Sequence, residues 1–312
     1  MPNANCSANT PITHQYALSA YNTTTASALT MRFTSNNFGL KRTVRTVKDE
    51  GTGSPWDVVG SEIESQYQVS GPISMVPRPD QMPTLLPILL GNAQISAGPP
   101  QVYKPAGKIC EFFQLGHLDP TPGINQYFRY GDAVVNTWSM KASTSNQILS
   151  LDMQVEACTR TTPAVGTWPT LSLSVVQPWV FRQLVLTIAS NTYRVRDFEV
   201  TGNNNLSAGD FYNSISRTEM PTQKQDYMLR TTIPFDLAND LALLNTSVNA
   251  TATAIFTAAS GSVLKFDFPS LFTRPEDPSV SGRQRVHLPI EWHAQYNPSV
   301  ANETPIKIEY TP

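Results

Sequence analysis

The groups that could do chemistry in this 312-residue sequence are few: four histidines, three cysteines and scattered acids. The densest constellation is His287, Glu291 and His293, which share one face of an extended run from Arg285 to Gln295. Two imidazoles and a carboxylate are plausible metal ligands. Their spacing argues against one shared ion, because residues four apart on a strand lie roughly 13 Å apart, and the same face carries Pro289 and Gln295. His14 and His117 stand in irregular polar stretches with no Ser/Asp or Cys partner pattern. Asp119 and Asp132 could be imagined as paired carboxylates, yet each adjoins Pro or Gly, where Asp favours turns. There is no GxSxG, no phosphate-binding loop and no GxGxxG after a strand. The sequence thus points to no catalytic residue, no cofactor-binding residue and no metal site.

Composition narrows the classes further. Charged residues make up 15% and hydrophobic residues 40%, and 25 prolines with 16 glycines punctuate many short runs rich in Val, Thr, Phe and Tyr. That is the pattern of a folded, mainly β chain. The formal net charge is -2 with no block of five basic residues, so a tight sequence-independent grip on nucleic acid is not expected. The start, MPNANCSANTPITHQ, lacks the basic and apolar regions of a secretory signal. The most apolar run, Met82 to Leu90, holds two prolines and is under half the roughly twenty residues that cross a bilayer. Cys6, Cys110 and Cys158 form no CxxC and read as reduced thiols, with a Cys110–Cys158 contact left open.

The elements that must position these groups are organised around Tyr67 to Gly91. Its extended first part, with Val69, Ile73 and Met75 apolar, turns at Arg78-Pro79-Asp80. Asp80 is expected to cap a short helix, Pro83 to fall in its first turn, Pro87 to kink it and Gly91 to end it. Asp226 to Asn245 repeats the design, with Asp236 as cap and Leu237, Leu241 and Leu244 at helical spacing. Tyr127–Ala157 and Val263–Ala294 read as matching hairpins. Their closing strands align Met153–Ala157 with Ile290–Ala294, both alternating with period two. Asn92 to Pro105 is then an insertion in the first copy. Other strands are expected at Leu29–Phe33, Leu40–Val47, Ile109–Leu115 and Ile124–Tyr130, one or two within Leu171–Ser190 around Trp179 and Phe181, and one at Ile306–Tyr310, with Thr159–Thr170 a polar linker. The order strand, short helix, strand, hairpin occurring twice implies a duplication.

The runs VSGPISMVPRPDQMPTLLPILLG, YFRYGDAVVNTWSMKASTSNQILSLDMQVEA, RVRDFEVTGNNNL and FDFPSLFTRPEDPSVSGRQRVHLPIEWHA together resemble the tail tube proteins of long-tailed, siphovirus-type bacteriophages, over about residues 28 to 312. The sequence differs from that pattern in placing Pro83 and Pro87 in the first helix. The resemblance implies a mainly β fold of two tandem tail-tube-type β-sandwich units, each with one short flanking helix. An arm would span 1–27, the first unit 28–160, linker and connecting strands 161–191, and the second unit 192–312. It also implies a structural virion protein, not an enzyme, built into stacked rings that form the conduit for viral DNA. The partner would be the chain itself, as a trimeric pseudo-sixfold ring or alternatively a hexamer. Tape measure, terminator and distal tail proteins would adjoin it, DNA would pass without being held, and no membrane is involved. Assembly would occur in the bacterial host cytoplasm. Two other readings are a distal tail or decoration β-protein, and a carbohydrate-binding β-sandwich. The latter calls for clustered aromatics beside paired acids, whereas the aromatics here are scattered. The long polar loops Lys48–Glu62 and Asn203–Gln225 are the candidates for contacts between rings, through Asp49, Glu50, Trp56, Asp57, Glu219 and Lys224. A buried Trp56 would contribute about 2 kcal/mol or more.

Overall fold

The computed structural model describes residues 13–19, 29–31, 33–46, 62–91, 95–96, 98–105, 112–121, 124–162, 174–207, 211–218, 220–234, 250–273, 286–296 and 304–312. For 13–19, 29–31, 46, 112–121 and 124–127 it describes the backbone alone. The chain is mainly β, and its strands form a single antiparallel hydrogen-bonded network. The first half supplies β1 (Thr13–Ser19), β2 (Leu29–Met31), β3 (Phe33–Asn36), β4 (Gly39–Thr46), β5 (Glu62–Met75), β6 (Gln101–Tyr103), β7 (Phe112–Thr121), β8 (Ile124–Ser143) and β9 (Ser150–Thr161). The second half supplies β10 (Leu184–Ile188), β11 (Asn191–Tyr193), β12 (Asp197–Asn203), β13 (Asp226–Pro234), β14 (Ala250–Thr257), β15 (Val263–Thr273), β16 (His287–Ala294) and β17 (Lys307–Thr311).

Strand pairing repeats across the two halves. In the first, β4 pairs β5, β5 pairs β9, β9 pairs β8 and β8 pairs β7. In the second, β12 pairs β13, β13 pairs β16, β16 pairs β15 and β15 pairs β14. The irregularities repeat as well. Phe113 faces Ala133 and a bulge follows before Leu115 faces Tyr130; Ala250 faces Leu271 and a bulge follows before Ala252 faces Phe268. A one-residue slip would send the apolar set of a half-buried strand to the wrong face, so a shared register with a shared bulge is a demanding match. The halves are joined where the C-terminal part of β8 pairs β12, from Thr137 opposite Asn203 to Ser143 opposite Asp197. A second tie comes from Asn92–Pro105, expected only as an insertion. Within it, β6 pairs β17 and fully buries Tyr103.

Alternation builds the core. Reading across six strands, Met75, Leu151, Met140, Val200, Leu229 and Trp292 stand directly opposite one another, and all are fully buried. Each such side chain contributes about 1.5–3 kcal/mol on leaving water. The α-helix α1 (Met82–Leu90) seals this apolar layer, with Leu85, Leu86 and Leu89 buried and Pro87 inside it. It ends as expected at Gly91, whose φ of 65° is the left-handed value that glycine adopts without strain.

Three expectations need correction. Asp80 does not cap the helix. Pro79–Gln81 form a separate 3-10 turn before α1, which places Asp80 too early, and Gln81, at the N-cap of α1, makes no side-chain capping bond. Its carboxylate instead accepts a hydrogen bond from the Ser174 hydroxyl at 2.7 Å, while the Arg78 guanidinium donates to the Val176 carbonyl, so both tie down the segment leading into β10. The stretch Leu171–Ser190 does supply one strand, β10, but it begins after Trp179 and Phe181: Trp179 is fully buried in irregular chain, and Phe181 opens a 3-10 turn whose Gln183 side chain accepts from the Val180 N–H. The Thr159–Thr170 linker begins later than expected, because β9 runs to Thr161. The helix expected after Asp236 lies outside the described residues.

Candidate functional site

The face opposite the apolar layer is polar. Ser74, Asp152, Ser139, Thr201, Met228 and His293 form one row across β5, β9, β8, β12, β13 and β16, each residue directly opposite the next. The adjoining row is Ser150, Lys141, Glu199, Arg230 and Glu291. Further rows add Asp197 with Thr232 and Asn203 with Asp226. This polar wall is continuous across the β8–β12 join. Its carboxylates, Asp152, Asp197, Glu199, Asp226 and Glu291, outnumber its described bases, Lys141 and Arg230. A depression of about 600 Å³ on it is lined by Lys141, Glu199, Arg230 and Glu291, among others.

The charges are paired across strands. Lys141 contacts Asp152. Burial acts to raise the Asp152 carboxyl, but hydrogen bonds from Lys141 and Ser74 outweigh it and hold its pKa below the usual range. The Arg230 Nε donates to Glu291 at 2.6 Å and its Nη1 lies 3.8 Å from Glu199. The Glu291 bond is the main reason that the guanidinium holds its proton more tightly than usual. Such half-exposed pairs contribute little to stability individually, about 0–1 kcal/mol each; their importance is the potential that the whole face presents.

At one end of this wall the alternation of β9 breaks. Glu156, Ala157 and Cys158 are all buried, where period two would expose Glu156 and Cys158. The cover is the connection between β12 and β13. Arg217 enters from it, its side chain 2% exposed, and pairs with Glu156, 12% exposed. Asn136 donates to the other Glu156 oxygen at 3.0 Å and accepts from the Leu206 N–H at 3.0 Å. Leu206 and Met220 pack on Val134, and the Ile215 carbonyl accepts from the Tyr67 N–H at 2.9 Å. Fully buried Asn204 donates to the carbonyls of Leu89, at the end of α1, and Val135. One connection of the second half therefore clamps α1, β8 and β9 of the first.

The residues singled out from sequence are dispersed. Asp49, Glu50, Trp56, Asp57 and Glu219 lie outside the described residues. Lys224 is exposed, and its carbonyl accepts from the Asn205 side chain at 3.2 Å. His293 meets Glu291 at 3.3 Å, but His287 does not join them, and among the described residues no group of three or more His, Cys, Asp or Glu could hold a metal. Asp119 and Asp132 are not turn residues: Asp119 lies in β7 opposite Gln126, and Asp132 is buried within β8, at the bulge in its pairing with β7, with φ 52°. Sequence reading missed Arg217, Glu156, Asn136 and Asn204. The one available signal was the break in β9, where Cys158 falls on a face otherwise made of Asp152 and Gln154.

A family model described as phage tail tube protein matches residues 17–294. No curated protein matches the chain.

Proposed function

The chain belongs to the phage tail tube protein family, a structural component of the virion, and from that premise we propose that three copies close into a pseudo-sixfold ring and that rings stack into the tube through which viral DNA is ejected. The observation that carries this reading is the polar wall, which runs unbroken over the β8–β12 join between two sets of strands paired in the same order. If each set is one tube unit, about 28–160 and 192–312, the internal join is a unit–unit contact already made within the chain. Three chains then supply six units. Closing the remaining strand edges satisfies backbone groups that would otherwise recruit other chains. An inner wall in which Asp152, Asp197, Glu199, Asp226 and Glu291 outnumber Lys141 and Arg230 repels phosphate, so DNA passes without sticking. Assembly in the host cytoplasm beside tape measure, terminator and distal tail proteins completes the proposal.

Negative-stain microscopy and light scattering of the purified chain test it. Rings with the mass of three copies, and tubes at higher concentration, are expected. A chain that stays monomeric at every concentration would overturn it.

A further inference from the structure

The polar wall is built from matching rows in the two halves. Ser35, Ser74 and Asp152 stand opposite one another in the first half as Asp197, Thr232 and Pro289 do in the second. One row on, Pro72 and Gln154 hold the places of Arg230 and Glu291, and Asn37, whose N–H donates to the Pro72 carbonyl at 3.0 Å, holds that of Glu199. Further along, Lys41 and Gln68 correspond to Asn203 and Asp226. The register is kept and the charge is not. Among the described residues the second-half facet carries Asp197, Glu199, Asp226 and Glu291 against Arg230 and, 3.9 Å from Asp197 at the strand end, Arg196. The first-half facet carries two carboxylates and each lies on a base, Asp152 on Lys141 and Glu156 on the buried Arg217. Between these two pairs lies the neutral Gln154, opposite Pro72.

We propose that the bore is electrostatically threefold rather than sixfold, and that the phosphate backbone of the passing duplex comes closest to the wall over the three first-half facets, one per chain, at Ser74, Pro72 and Gln154. This rests on the ring reading above. The two kinds of facet are far enough apart to act separately. In the order β5, β9, β8, β12, β13, four strand spacings separate β5 from β13, roughly 19 Å along the sheet. That is more than twice the screening length of about 8 Å at physiological salt. A phosphate over the second-half facet meets an excess of negative charge at short range, whereas over the first-half facet the nearest charges cancel in pairs. Space is open above the neutral facet: Pro72 is exposed, and a depression of about 430 Å³ is lined in part by Pro72, Ser139 and Gln154. A duplex held off by three facets and tolerated by the three between them is thereby steered onto Ser74, Pro72 and Gln154 of each chain.

Ser74 and Thr232 supply a matched test, since each has one aspartate directly opposite, Asp152 or Asp197. A lysine at either adds the same charge in the same setting. Virions whose tails are built from wild type, Ser74→Lys or Thr232→Lys are compared for the rate of DNA release, followed with a DNA-binding dye over a range of salt, once negative-stain microscopy has shown normal tubes. Ser74→Lys should slow release at least about tenfold at low salt, with the delay shrinking as salt rises, and Thr232→Lys should stay within about twofold of wild type. Where Ser74→Lys does not assemble, Gln154→Lys takes its place. The triple variant Glu199→Gln, Asp226→Asn, Thr232→Lys removes the acidic excess and should slow release as Ser74→Lys does. Equal release from Ser74→Lys and Thr232→Lys, whether both are fast or both slow, would overturn the inference, as would a slower Thr232→Lys. Failure of the ring reading looks different: the purified wild-type chain would form no rings of three copies.

Discussion

Replacing Arg217 with alanine should be among the costliest single changes at any polar residue of this chain. The guanidinium is 2% exposed and its partner carboxylate 12%, so the pair sits where water screens little. Removing one member of such a pair typically costs about 3–5 kcal/mol, because the other charge is left buried and unpaired. Glu156 keeps its 3.0 Å bond from Asn136, which places the expectation at the lower end, about 3 kcal/mol. For a chain of 312 residues, with an unfolding entropy of about 2.1 cal/mol/K per residue, that lowers the melting temperature by about 5 °C. The double variant Glu156→Gln, Arg217→Met retains the packing of the arginine stem without stranding a charge, and should recover most of the loss. Denaturant unfolding followed by tryptophan fluorescence, applied to wild type, Glu156→Gln, Arg217→Met and the double variant, supplies the four corners of the cycle, and hydrogen exchange over 204–225 reports whether the clamp opens before the sheet does. A coupling energy below about 0.5 kcal/mol, or unchanged exchange in that connection, would show that the contact does not hold the halves together.

Four further outcomes follow from other parts of the molecule. Gly202→Ala should destabilise by about 1–3 kcal/mol, measurable by chemical denaturation, because a β-carbon there runs into the Trp138 ring standing opposite it at the β8–β12 join. Asn204→Ala should cost about 1–3 kcal/mol by leaving the Leu89 and Val135 carbonyls without its amide; a Leu89 segment with unchanged hydrogen exchange would contradict this. Acid and alkali should destabilise through different groups. The Asp152 and Glu309 carboxyls are held below their ordinary pKa, Glu309 despite burial and because of Lys307 and Lys265, so their stabilisation is present above the ordinary carboxylate range and lost as pH falls through the lowered folded values. Burial pushes the Tyr103 phenol up to about 12, so its contribution is intact below pH 10 and lost as pH rises through about 12; a pH series of melting temperatures checks both limbs. Finally, Cys158 is buried and its thiol pushed up to about 11, chiefly by burial and then by Asp132, so mass-mapped alkylation at pH 8 should leave it unmodified until the chain unfolds.

Along most strands the core-facing residues were legible from alternation alone. Alternation in Leu151–Met153–Val155 and Leu288–Ile290–Trp292 can only be buried on one side of a sheet, because side-chain direction in a strand is a local property with period two. The matching of Met153–Ala157 with Ile290–Ala294 was legible for the same reason, and the two strands do hold equivalent places in the pairing order. Gly91 was legible as a helix end, since a left-handed φ is a demand one residue can announce. Asp80 was not, because whether an acid caps a helix or ties down Ser174 depends on a segment 94 positions away. The clamp was hidden by the same locality. Nothing in the order of residues distinguishes Glu156 from Asp152 as a member of an alternating strand, nor Arg217 as more than a basic residue in a polar loop. Only when β12 is laid beside β8 does the connection after it pass over β9, and only then are that carboxylate and that guanidinium removed from water together. The polar wall divides likewise: each strand's polar face can be read from its own residues, but that the faces join across β8 and β12 into one surface with an excess of carboxylates is decided by strand order, a property of the whole tertiary fold.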